Sequence, residues 1–310
     1  DESITHRFDE KYVIKLLRVH YVDIQEVDPN TQKLLPMEQL REGTKIRVLV
    51  MPMAMCTVAD IISKDQIAYR EICDILHGIA SAMKHIHDRQ LVHSDAKLEN
   101  FVRMKCGEIK AIDFDAMVPI GSQFKNKNCR GVCTPERAKL LFHSESNHLQ
   151  QVNYLTREME RIFKAMKEDI AIMDKLRMRE LKKTYRRLDT ERDQLEELED
   201  DMEKCGRVEA DFTHDVWMFG MMMFELLAAK PLFHCHENRD LANREKQRLL
   251  SWKCLEPDDL QLVMQFNGTS DGCAINLLQK CLQGNPTKRY QSMVEILQDP
   301  YFSGFKKQYG

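Results

Sequence analysis

In the segment Leu91-Val-His-Ser-Asp95-Ala-Lys97-Leu-Glu-Asn100-Phe-Val102 and its successor Ile109-Lys-Ala-Ile-Asp113-Phe-Asp115, polar side chains stand between short apolar runs. Each apolar run predicts a short strand, and the turns between them expose Asp95, Asn100 and Asp113 on rigid supports. A single Asp in such a place would only cap a turn. Two carboxylates and an amide converging on one pocket have a further use, because Mg²⁺ takes hard oxygen ligands and keeps water and substrate phosphates in its shell. A third carboxylate nearby would orient a hydroxyl.

Upstream of this segment the pattern is β-like and then helical. Tyr12–His20 and Lys45–Met51 are β-rich apolar runs that predict paired strands, joined by a polar loop around Asp28-Pro29-Asn30. Thr57–Lys64 and Tyr69–Arg89 predict helices, the second with Ile72, Ile75, Leu76, Ile79, Met83 and Ile86 on one face. Downstream, helix resumes at Val216–Leu227.

Composition narrows the class. Of 310 residues, 43% are hydrophobic and 31% charged, which excludes a disordered or collagen-like chain. The formal charge of −3 offers no basic field for nucleic acid. The longest apolar stretches, such as Val216–Ala229, run to about a dozen residues, short of the roughly 20 that span a bilayer. Ten cysteines are scattered without a C-x-x-C pair, which predicts reduced thiols and a cytoplasmic setting. The start at Asp1-Glu2, with no leader pattern, reads as a piece of something longer.

Five motifs in order carry a family resemblance. His93-Ser94-Asp95-Ala96-Lys97-Leu98-Glu99-Asn100 resembles the catalytic loop H-R-D-x-x-x-x-N of eukaryotic-type protein kinases, and Asp113-Phe114-Asp115 resembles D-F-G. Thr134-Pro135-Glu136 resembles A-P-E, Asp215–Gly220 resembles D-x-W-S-x-G, and Asn285–Arg289 resembles the late D-P-x-x-R. The resemblance runs from about Tyr12 to Phe302 and implies an α+β, protein-kinase-like fold. In it a mostly helical C-lobe, residues 52–310, follows a partial β N-lobe, residues 1–51, holding its fourth and fifth strands.

The resemblance implies Mg-ATP-dependent phosphorylation of Ser/Thr in proteins by the full-length parent. Asp95 would accept or orient the substrate hydroxyl proton, Lys97 would meet the transferring phosphate, and Asn100 and Asp113 would hold Mg²⁺. Met51 would be the gatekeeper, with adenine bonding the Pro52 carbonyl and the Ala54 N–H above Val102. Glu136 and Arg289 would form a buried bracing pair, and Asp215 would anchor the catalytic-loop backbone.

The pattern also departs from the family. No G-x-G-x-x-G loop, strand lysine or partner glutamate is found, so the chain alone should bind nucleotide weakly and turn over negligibly. Ser94 replaces the arginine that meets an activation-loop phosphate, and Asp115 replaces a glycine. Ser122 and Thr134 are the hydroxyls between Asp113 and Glu136, and Thr134 suits support of the peptide site. These departures sustain the alternative of a pseudokinase or scaffold.

Between Pro135 and Gly206 there is neither Gly nor Pro, and residues 149–205 mix acids and bases densely. Leu155, Met159, Ile162, Met166, Met173 and Leu176 form one helical set; Leu181, Tyr185, Leu188, Leu195 and Met202 form another. A long, coiled-coil-like helical insertion over 147–206 is expected. One helix of about 50 residues would extend roughly 75 Å, so a hairpin or an intermolecular coiled coil is equally open. A partner or a second copy would bind through 149–205. His234-Cys235-His236 is a weak zinc candidate, and Cys129-x-x-x-Cys133 a weak redox pair.

Overall fold

A computed structural model of the chain describes residues 8–23, 45–64, 67–124, 133–139, 155, 157–162, 164, 182–188, 208–235, 241–267 and 272–303. It divides into two units: residues 1–129, 210–234 and 253–310 form the first, and 130–209 with 235–252 the second.

In the first unit, β1 (Arg18–Asp23) pairs antiparallel with β2 (Lys45–Val50), with Val19 opposite Leu49. β3 (Cys56–Thr57) leads into α1 (Val58–Lys64), where Asp60 and Thr57 exchange backbone-to-side-chain hydrogen bonds across the first turn. α2 (Tyr69–His87) follows, and then β4 (Leu91–Val92). A 3₁₀ turn, Leu98–Asn100, opens β5 (Phe101–Arg103), which lies between β3 and β6 (Ile109–Ala111). β7 (Val118–Pro119) returns to pair with β4.

The expected strand over Tyr12–His20 begins later, at Arg18. Residues 12–14 join another layer: Ala111 donates its N–H to the Tyr12 carbonyl at 2.9 Å, and Ile14 donates to Ala111 at 3.2 Å. Tyr12 stacks on His85 of α2, while Val13 and Ile14 are buried. One apolar run therefore serves two layers, a division that strand periodicity does not encode.

The core is made by two helices of different kinds. α2 is amphipathic and buries Ile72, Ile75, Leu76, Ile79, Met83 and Ile86. α3 (Phe212–Ala228) is buried nearly all round, including Trp217, Phe219, Met223, Phe224 and Leu227. Apolar residues on every side of a helix require cover on every side. α2 crosses α3 and packs on β6, where Gly78 allows the approach: a Cβ there would stand 2.7 Å from Ile109 Cβ. α3 packs on α5 (Pro257–Asn267) and α6 (Gly272–Cys281), with Gly220 against Cys281 and Leu282. Its start is capped, Asp211 accepting the Thr213 N–H at 2.8 Å.

In the second unit, α4 spans Asn243–Leu250. Residues 157–162 and 182–188 are helical, and Leu155, Met159, Ile162 and Leu188 form one buried cluster with Tyr185 against it. Ile162 and Leu188 would stand about 39 Å apart on one straight helix. Their shared core excludes that form for the pieces described; Met166, Met173, Leu176, Leu181, Leu195 and Met202 lie outside the described residues.

The last elements return to the first unit. A 3₁₀ turn, Pro286–Lys288, is capped by Asn285, and α7 (Met293–Gln298), capped by Ser292, packs on α2.

Candidate active site

The loop after β4 is fixed from beneath by α3. Asp215, in the first turn of α3 and fully buried, accepts the His93 N–H at 2.8 Å and the Ser94 N–H at 3.1 Å. His87, the last residue of α2, meets the same carboxylate at 2.9 Å and stacks on Phe212. Burial alone would raise the Asp215 carboxyl pKa; the hydrogen bond and charge of His87, with those of His93, outweigh it and hold the carboxyl below its usual range. Ser94 takes φ of +68°, a left-handed conformation that its clamped N–H helps to hold.

On that support the polar side chains converge. Lys97 Nζ donates to Asp95 Oδ2 at 2.8 Å. Asn100 Nδ2 donates to the Asp95 carbonyl at 2.8 Å and to Oδ2 at 3.2 Å. Asp95 is thus oriented by a cation and an amide while its side chain stays 29% exposed, open to a reactant. The β5–β6 hairpin then brings in the second carboxylate: Ile112 donates its N–H to the Asn100 carbonyl at 2.9 Å, setting Asp113 beside that residue. Asp113 is exposed with φ of +60°, and Asp115 is also exposed.

This arrangement fits a divalent cation of the Mg²⁺ kind. Asn100 spends its amide hydrogens on Asp95, which leaves Oδ1 as a hard oxygen donor, and the Asp113 carboxylate is a second. Among the described residues no group of three His, Cys, Asp or Glu is arranged to hold a metal unaided. An ion here would draw its other ligands from water and phosphate, as Mg²⁺ characteristically does.

Val102 is 5% exposed in β5, opposite Thr57 of β3. The linker from β2 to β3 is more open: Met51 is 45% exposed, Met53 and Met55 are exposed, and Pro52 and Ala54 are half-buried. Met55 donates its N–H to the Arg103 carbonyl at 2.9 Å, tying this linker to the strand that carries Val102.

Arg289 is buried, donating to the carbonyls of Gln283 at 2.7 Å and Thr213 at 3.3 Å, with its guanidinium over Trp217. Glu136, its expected partner, belongs to the other unit. Thr134 is buried; its carbonyl accepts the Ala138 N–H, and its hydroxyl accepts the Arg137 N–H at 3.4 Å. Thr134 thus caps the helical segment over 135–139.

Two residues escaped the sequence reading. His87 closes the apolar stripe of α2, and only its position after Ile79, Met83 and Ile86 marked it as inward-facing. Glu225 lies in the apolar stretch of α3 that follows Asp215, where a carboxylate among Met, Phe and Leu was the available signal. Burial, with the Glu99 charge added, pushes its pKa up to about 7.

Residues 3–136 and 203–302 match the protein kinase domain. The chain belongs to that family. The intervening 137–202 stand outside the match. The chain is 22% identical over 316 aligned residues to a protein of Dictyostelium discoideum named "Probable serine/threonine-protein kinase glkA", covering 97% of this chain and 52% of that protein. It is 27% identical over 124 residues to "Serine/threonine-protein kinase PRR2" of Saccharomyces cerevisiae, covering 39% of this chain and 17% of that one. The chain thus spans about half, or less, of the length of these relatives. No helix among its described residues is long and apolar enough to cross a membrane.

Proposed function

We propose that the kinase domain, as part of a longer protein that completes its small lobe, transfers the γ-phosphoryl group of Mg-ATP to Ser or Thr hydroxyls of protein substrates. The observation that carries this reading is the Asp95–Lys97–Asn100 cluster, in which one carboxylate is oriented by two donors on a loop braced by Asp215. Asp95 takes or orients the hydroxyl proton as the substrate oxygen attacks phosphorus and the bond to the bridging oxygen breaks. Lys97, beside Asp95, neutralises negative charge on the transferring group. Asn100 and Asp113 would hold Mg²⁺, which supplies charge stabilisation to the phosphates when bound.

Met51, Pro52, Ala54 and Val102 would receive the adenine, Val102 as the apolar floor and the Pro52 carbonyl and Ala54 N–H as its hydrogen-bonding edge. Residues 1–51 as a small-lobe remnant, an insertion over 147–206 and a cytoplasmic setting belong to the same proposal. The test is transfer of labelled phosphate from Mg-ATP to a generic basic protein, using a form extended upstream through a complete small lobe, beside Asp95→Asn. Transfer lost by several orders of magnitude in the variant supports the reading. Neither transfer nor nucleotide binding in the extended form would replace it with a scaffold that binds partners through 149–205.

A further inference from the structure

Residues 8–14 are fastened to the rest of the first unit in two halves. The later half, 12–14, is laddered to β6: Ala111 donates to the Tyr12 carbonyl and Ile14 to the Ala111 carbonyl, bonds between backbone groups that do not titrate. The earlier half, 8–11, hangs on side chains. Asp9 donates its backbone N–H at 2.9 Å to Nε2 of His85, in the last turn of α2, and Lys110 of β6 donates to the Glu10 carbonyl. Phe8, buried at the start of this half, stacks on Phe114, the residue after Asp113.

Both nitrogens of the His85 ring face donors. Arg89 Nη1 lies 3.2 Å from Nδ1 and has its own acceptor in the His85 carbonyl at 2.8 Å, so the one lone pair of the neutral ring falls to Asp9 at Nε2. The Tyr12 ring stacks on this imidazole at 4.7 Å, and the Phe8 ring lies 5.9 Å from it. An imidazolium in this place would offer Asp9 no lone pair, would point an N–H at each donor and would stand beside the Arg89 cation.

The carboxylates that would favour the charged ring are already engaged. Asp88 meets Lys84 at 2.6 Å, Asp9 accepts the Lys11 N–H at 2.9 Å, and Glu10 meets Lys15 at 2.7 Å, while the Lys11 ammonium lies over the Tyr12 ring. Burial and then the Arg89 charge, with a smaller push from Lys84, outweigh the pull of Asp9 and Asp88 and hold the His85 pKa below its ordinary value of 6.5.

We propose that His85 is a proton-operated latch on residues 8–11. Neutral, it holds them on α2 and keeps Phe8 on Phe114; protonated, it lets them go while 12–14 stay on β6. In the released state the ring is hydrated and takes its proton at the ordinary value. The closed state is therefore fully favoured above about pH 6.5 and loses ground as pH falls below it. The latch does not depend on phosphoryl transfer at Asp95; its effect there would be a looser Phe114 beside Asp113.

Amide-resolved hydrogen exchange on residues 1–310 reads the latch at about pH 7.5 and about pH 5.5, one unit either side of the free imidazole value, as protection relative to the free-peptide rate at each pH. On acidification, protection of the Asp9 amide should fall by about three- to tenfold, tenfold per pH unit being the limit for one proton. Met117, whose N–H bonds the Phe114 carbonyl at 3.1 Å, should fall with it. Ile14 and Ala111, bonded in the other half, should not lose protection. His85→Gln sets an amide oxygen where Nε2 stands and does not titrate, so it should keep Asp9 protected at both pH values. Unchanged protection at Asp9 or Met117 in the unaltered protein overturns the proposal, and so does a fall shared by Ile14 and Ala111. Those outcomes are read without any variant. A His85→Gln protein that loses Asp9 protection on acidification as the unaltered protein does also overturns it.

Discussion

Asp215 and His87, 128 positions apart in sequence, meet at 2.9 Å in the core, with side chains 0% and 5% exposed. The same carboxylate holds the backbone N–H groups of His93 and Ser94, so loop placement and core integrity share one group. Replacing it by Asn leaves a donor facing donors and is expected to cost about 3–5 kcal/mol in denaturant unfolding, the range for breaking a buried charged pair. Because the folded carboxyl sits below its unfolded value of 3.8, its contribution is full above that pH and is lost as pH falls through the folded value. The difference in stability between the native protein and Asp215→Asn should therefore shrink on acidification below about pH 4; a constant difference would contradict the assignment.

Glu225 has the opposite sign. Its folded pKa, raised from 4.5 to about 7 by burial and then by Glu99, favours the protonated form. Its stability contribution is complete below about pH 4.5 and is lost as pH rises through about 7. Glu225→Gln should match the native protein near pH 4.5 and exceed it by on the order of 2 kcal/mol above pH 7, after allowance for residual solvent screening. Urea midpoints at several pH values check this, and a gap independent of pH would refute it.

Gly220 faces a wall. An added Cβ would come within 2.8 Å of Cys281 Cβ and of Leu282 Cγ and Cδ2. Alanine gains about 1 kcal/mol of helix propensity over glycine, but Cys281 Cβ is fixed to its backbone and cannot rotate away. Gly220→Ala is expected to destabilise by about 1–3 kcal/mol net, read as a lowered denaturation midpoint. Gly78→Ala, against Ile109 Cβ, should behave likewise.

Lys97 and Asp95 should separate kinetically in the extended protein. On the proposed role, Asp95→Asn takes away the proton acceptor and should lower kcat by roughly 10²–10⁴-fold with little change in KM for ATP. Lys97→Met keeps that carboxylate but removes its cation and should lower kcat by a smaller factor than Asp95→Asn. Equal losses in both would argue for a merely structural pair.

Much of this site was legible because its residues are local. Asp95, Lys97 and Asn100 lie within six positions, and the β5–β6 hairpin that adds Asp113 is short. Short-range pattern also marked α2, α3 and the pairing of β1 with β2. What escaped was long-range. The split of 12–20 between two layers depends on His85 and Ala111, and the His87–Asp215 pair depends on where α2 ends relative to α3.

Phe8 lies 5.7 Å from Phe114 in a stacked arrangement, with the Arg89 guanidinium 5.3 Å from its ring. Phe8→Ala should cost about 3 kcal/mol and speed hydrogen exchange at the amides of 113–116; unchanged exchange there would show the stacking to be passive.

That ring has a practical meaning for anyone who divides the protein. A protease cut or a cloning boundary placed only a few residues beyond Phe8 would spare every polar group of the site, yet would strip the neighbour of the residue next to Asp113. Preparations differing by a few amino-terminal residues would then differ in behaviour although their active-site chemistry is identical, so the choice of first residue becomes an experimental variable.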